Sequence, residues 1–157
     1  MKIIKTEKMT VVYHSVRTTI PGIFEKSETE CPKLIKAVDA LGLSSSGPWI
    51  FIAHNLAKNG QDQFQLEFCL PVTGNQESMK KGQETIPMKI LPAMDCASFT
   101  WRGPIRHLFT RGYGPLLKSI KDAGLKLSGE SREIYHVWNG KKSTENEVEI
   151  QFILDNK

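Results

Sequence analysis

No apolar run in this chain approaches the roughly 20 residues needed to cross a bilayer. The opening stretch, MKIIKTEKMT, is charged at every few positions and reads as neither a signal peptide nor a membrane anchor. The expected address is therefore the cytoplasm. Cysteine is scarce. Cys31, Cys69 and Cys96 are scattered and odd in number, which argues against a disulfide framework and against a zinc site. Cys69 and Cys96 lie in strand-like runs and read as small buried side chains, whereas Cys31, just before a proline, reads as partly exposed. His14, His54, His107 and His136 show no metal-ligand spacing. There is no nucleophile elbow, and Gly112-x-Gly114 is too short for a phosphate loop. Neither a metal nor a cofactor is expected. The net charge of +4 is spread along the whole length, with no basic stripe interleaved with aromatics, so direct DNA binding is not expected.

What the chain does have is internal repetition. LIKAVDALGL (34–43) and LLKSIKDAGL (116–125) match at a fixed offset of 82 (34 to 116). PWIFIAHN (48–55) and LEFCLP (66–71) fall against REIYHVWN (132–139) and IQFILD (150–155) at an offset of 84 (48 to 132). Residues 9–17 are rich in β-branched side chains and read as a strand. Residues 24–41 carry apolar side chains at helical spacing, with Pro32 suited to a first helical position and Gly42 to a C-terminal stop. Residues 49–55 and 64–72 read as strands. The second half repeats the order, with strands at 90–101, 130–138 and 147–154 and a helix over 105–123 that Gly112, Gly114 and Pro115 must interrupt. The expected fold is α+β. It is a single domain spanning 1–157, made of tandem strand–helix–strand–strand repeats (about 9–72 and 90–154) joined by a polar linker, 73–87. The sheet is mainly antiparallel with two helices on one face, and a groove is expected between those helices.

The halves disagree at one position. At the 84 offset Phe51 falls against Tyr135, but Trp49 falls against Glu133. Residues two apart on a strand share a face, so Glu133 and Tyr135 project together, as do Trp49 and Phe51. A shared sheet then sets one carboxylate among three aromatic rings. That costs several kcal/mol unless the acid is paired, hydrogen-bonded or protonated. An acid caged by aromatics suits an organic cation. The alternative is that Glu133 faces solvent while Ile134 faces the core. Glu67, alternating with Leu66 and Phe68, is expected to face water.

WRGP (101–104), the Glu-x-Tyr strand REIYHVW, LEFCLPV ending beyond Pro71, and the doubled element order together resemble the GyrI-like (gyrase-inhibitor-like) small-molecule-binding domain over most of the chain. That family includes stand-alone proteins and effector-binding domains of bacterial multidrug-responsive transcription regulators. The resemblance implies a pocket between the repeats for bulky apolar or cationic compounds, centred on Glu133 with Tyr135 beside it and Trp101 near the rim. Residues 18–30 match no pattern of the family. A stand-alone binding protein is the expected function, and no helix-turn-helix is expected beside it. The resemblance leaves two alternatives: a hydrolase of reactive toxins using Glu133 and Tyr135, or an inhibitor docking on a protein partner such as DNA gyrase.

Overall fold

A computed structural model describes residues 1–156. The fold is α+β: three helices and a large antiparallel sheet. Its strands are β1 (Lys2–Lys5), β2 (Met9–Thr18), β3 (Ser44–Ser45), β4 (Ile50–His54), β5 (Phe64–Thr73), β6 (Met88–Leu91), β7 (Asp95–Arg102), β8 (Leu127–Val137) and β9 (Glu147–Leu154). The main path runs β1-β7-β9-β8-β4-β5-β2-β6, with β3 paired to β5. Between β7 and β2 the order is symmetric about the central β4–β8 pair, each half contributing three strands.

The long helices are α1 (Ile23–Ala40) and α3 (Gly114–Asp122). Leu34 and Val38 of α1 pack on Val12, Phe68 and Leu70, while Leu116 and Ile120 of α3 pack on Ala97, Ile150 and Phe152. All six strand residues point to one side of the sheet, so both helices lie on that face. Both helices end alike. Gly42 and Gly124 adopt positive φ (72° and 66°), and the following Leu43 and Leu125 N–H groups reach back to the Val38 and Ile120 carbonyls. Only a residue without Cβ adopts that turn without strain.

The strand pairing revises the sequence alignment. Ile52 faces Glu67 across β4–β5, and Ile134 faces Glu149 across β8–β9. Shifting both strands of the first hairpin by 82 (52 to 134, 67 to 149), as for the helices, reproduces the pairing of the second hairpin, whereas a shift of 84 does not. At that shift Phe51 falls against Glu133, and it lies directly opposite it in the β4–β8 pair.

Three further expectations change. The strand expected over 90–101 is broken at Pro92-Ala93-Met94, because proline cannot donate to a ladder. β6 pairs with β2 at one end of the sheet and β7 with β9 towards the other. The polar linker holds a helix, α2 (Gln76–Thr85), whose N-terminus is capped by the Asn75 side chain accepting from the Ser78 N–H (2.8 Å). Pro32 sits in the middle of α1 rather than at its start, where its missing N–H leaves the Glu28 carbonyl without its helical donor.

The two short crossing links bend the sheet. In a flat sheet, six strand spacings would separate β6 from β7, about 29 Å. The link from Leu91 to Asp95 can reach at most about 14 Å. The link from β1 to β2 is equally short, and the two are hydrogen-bonded to each other, Thr6 N to Met94 O and Met94 N to Thr6 Oγ1 (2.8 and 2.9 Å). The sheet must therefore curl, with its helix-free side concave. This explains why Ile50, Ile52, Cys69 and Ile134 are buried although no helix covers them.

It also explains Glu67, which is 6% exposed rather than facing water. Lys89 Nζ donates to both its oxygens (2.8 and 2.7 Å) and His54 Nε2 lies 2.9 Å away. Burial alone would raise its carboxyl, but the hydrogen bonds and charges of Lys89 and His54 outweigh that and hold it below the ordinary value. A depressed carboxyl stabilises the fold above the unfolded pKa, and that stability is lost as pH falls through the folded one. Lys89→Met is expected to destabilise the protein by about 2 kcal/mol at pH 7, since it strands a buried charge. Urea titrations at pH 7 and pH 3 check this: the gap between variant and parent narrows in acid.

A carboxylate between two phenols, under an aromatic groove

Glu133 lies near the middle of β8, with Phe51 opposite on β4 and Ile150 opposite on β9. It is 7% exposed. Ile134 is buried too, on the concave face, so the choice between the two residues falls away: a bent sheet buries both sides of this strand. Tyr135 Oη donates to Glu133 Oε1 and Tyr113 Oη to Glu133 Oε2, both at 2.5 Å. No cationic side chain pairs with this carboxylate among the described residues. Arg132 turns to the other face and binds Glu130 (2.6 Å), as the period of two requires. Burial pushes the Glu133 carboxyl up, and the two phenol hydrogen bonds pull it only part of the way back. Both phenols are held well above their ordinary value, by burial first and by the neighbouring carboxylate second.

Tyr113 was not foreseen. It lies between Gly112 and Gly114, in the stretch where the helix was expected to break. The break is a π-helical turn, Leu108–Tyr113, closed by the Gly114 N–H bonding to Phe109 O five residues back. The wide turn holds Tyr113 inside, stacked on Phe109 and edge-on to Phe152. Gly112 permits it: a Cβ there would stand 2.8 Å from Ile150 Cδ1. The sequence signal was the aromatic between two glycines.

Tyr135 closes the other side. Its ring packs on Phe51 (centroids 4.7 Å apart) and meets Trp138 edge-on (5.7 Å). Trp138 stacks on Phe24 of α1 (5.6 Å). Strand parity groups Trp138 with Ile134 and His136, on the concave side. A bulge between Tyr135 and Val137 adds a residue to β8 and returns Trp138 to the helix side. Above these rings opens a groove of about 1240 Å³, walled by α1 (Phe24, Cys31, Ile35) and floored by Trp49, Phe51 and Tyr135. It lies between α1 and the turn after β8. No residue of α3 lines it, so the expected groove between the two helices is displaced, because Tyr113 and its neighbours fill the α3 side. Cys31 is half-buried, and burial raises its thiol to about 12, which makes it wall rather than nucleophile.

Glu133, Tyr135 and Phe51 thus meet, and Trp49 joins them at the groove. Trp101 does not. It packs against Gly103 and Gly112 and donates to Pro104 O (3.1 Å), apart from the groove. A second hollow, about 890 Å³, opens on the concave face beside Arg132 and Glu149. Its polar groups already answer one another: Glu149 accepts from Ser98, Gln151 and His136 (2.7, 2.8 and 2.8 Å).

An α+β sheet with a shielded, cation-free carboxylate beneath an aromatic groove defines a class of small-molecule-binding domain. The model of the GyrI-like small molecule binding domain matches residues 1–154, and the chain belongs to that family. No curated protein matches it. The C-terminal domain of EcmrR is similar in fold (TM-score 0.76, 20% identity, covering 99% of this chain and 97% of that one). Against EcmrR in its DNA complex the values are 0.76 and 21%, covering 99% of this chain, which spans only 57% of that one. SAV2435 bound to tetraphenylphosphonium superposes at 0.64 with 10% identity, over 99% and 93% of the two chains. A hydrolase from Listeria innocua superposes at 0.65 with 11% identity, over 98% and 91%.

A carboxyl raised by burial opposes folding once ionised. As pH climbs above the unfolded value, about 4.3, the unfolded chain gives up its proton while the folded one resists, and stability falls. Glu133→Gln is therefore expected to raise the thermal midpoint at pH 7 by a few degrees, about 1 kcal/mol. The gain should disappear near pH 4. Scanning calorimetry at both pH values decides it; a lower midpoint at pH 7 would mean that the phenols outweigh burial.

Proposed function

We propose that this protein captures bulky apolar cations in the groove over Tyr135, with Glu133 as the counter-charge. One observation carries the reading: a carboxylate among aromatic rings with no cation among the described residues to neutralise it. Such a site is unfavourable to its own ionised form when empty and favourable when an organic cation enters, because the added charge meets a desolvated anion. The groove supplies what the carboxylate does not, namely apolar area and ring faces for cation–π contact. Tyr135 lies between the groove and Glu133, so a bound cation approaches the carboxylate by displacing that phenol. That SAV2435, of the same fold, is seen with tetraphenylphosphonium supports a lipophilic cation as the class of ligand. The chain would then serve as an effector-binding module.

A hydrolase reading has one observation in its favour. A hollow of about 10 Å³ adjoins Glu133, Tyr113 and Ser131, close to the room that a single water needs. A water there would have polar partners and a base, but the hollow is sealed from the groove by the rings.

Binding is expected to weaken in Glu133→Gln by on the order of 1–3 kcal/mol for tetraphenylphosphonium, and hardly at all for a neutral aromatic of matched shape. Isothermal calorimetry with both compounds tests this. Equal losses would remove the carboxylate's charge from the account. Turnover of an added compound that disappears in the same variant would favour the hydrolase instead.

A further inference from the structure

We propose that Lys141 is the groove's resident cation and sets which ligands enter, an inference that rests on the cation-capture reading above. Its Nζ lies 4.8 Å from the centroid of the Phe24 ring. Phe24 stacks on Trp138, Trp138 meets Tyr135, and the Tyr135 hydroxyl reaches Glu133. The ammonium thus occupies an aromatic cation position at the outer end of the ring series whose inner end is the carboxylate. Lys141 has no carboxylate partner among the described residues, although Glu28 and Asp39 line the same groove. The ring is what holds it.

This is not a loose lysine on a mobile turn. The Lys141 carbonyl accepts the Ile105 N–H (3.1 Å), and the Gly140 carbonyl before it accepts Asn146 Nδ2 (2.8 Å). Asn146 is fully buried, and its Oδ1 also receives the Asn139 N–H (2.8 Å). Gly140, at φ +97°, makes the bend that presents residue 141 to the groove. The backbone is fixed from two sides, so only the lysine stem has freedom to swing.

Two cations do not share one set of rings at no cost. An entering organic cation must draw the exposed ammonium off the Phe24 ring, or accept its repulsion at close range. A neutral ligand meets neither penalty. Lys141 therefore discriminates against small hydrophilic cations, which bring too little apolar area to offset its loss, and passes those with a large apolar body. The trait sits in the side chain's charge and not in its bulk.

The test titrates tetraphenylphosphonium and a shape-matched neutral aromatic into the parent protein, Lys141→Met and Lys141→Arg, at low and high salt. Lys141→Met is expected to tighten the phosphonium by about two- to five-fold and to leave the neutral compound unchanged. Lys141→Arg should behave as the parent, since it keeps the charge. The gain should shrink at high salt, as exposed charges are screened. An unchanged or weakened phosphonium affinity in Lys141→Met, or an equal shift for both compounds, overturns the role of Lys141. If Glu133→Gln still lowers phosphonium affinity in that event, cation capture survives and only the lysine filter falls. If the parent binds no phosphonium at all, both fall together.

Discussion

A carboxyl group left without a cation in a protein interior is the constraint around which the rest of this structure is arranged. Glu133 is boxed by Phe51 and Ile150 across its two ladders, and only phenol hydroxyls reach it. The fold tolerates it because two short hydrogen bonds spread its charge, and because the proton affinity of the site rises with burial.

Glu67 shows what the alternative looks like. It is as deeply buried as Glu133, on the other face of the same sheet, but Lys89 and His54 are built in beside it. One acid is neutralised from within, and its proton affinity falls; the other is left to burial, and its proton affinity rises. The contrast comes from the direction of strand side chains. On β8, Arg132 alternates away from Glu133 and meets Glu130 instead. On the concave face, β6 pairs with β2, the neighbour of β5, and Lys89 reaches over Tyr13 to Glu67.

Much of this was legible in the chain. Side-chain alternation alone put Glu133 and Tyr135 on one face, with Trp49 and Phe51 on its neighbour, and the glycine at 42 announced the stop of the first helix. Alternation failed where the backbone left its regular period. The bulge after Tyr135 moved Trp138 to the groove, and the π turn held Tyr113 against the carboxylate. Both events insert one residue into a regular element, and no local composition marks that insertion except the glycines flanking Tyr113. Glu67 was misplaced for a different reason: its burial comes from strands remote in sequence that curl over it.

By itself, then, the sequence determined which side chains share a face and where the helices stop, since these follow from the periods of strand and helix. Only the tertiary structure decided that the groove opens beside α1 rather than between α1 and α3, that two phenols and, among the described residues, no cation answer Glu133, and that both sheet faces are buried. Those depend on distances between residues far apart in the chain, set by the reach of two three-residue links and by two single-residue insertions in otherwise regular elements.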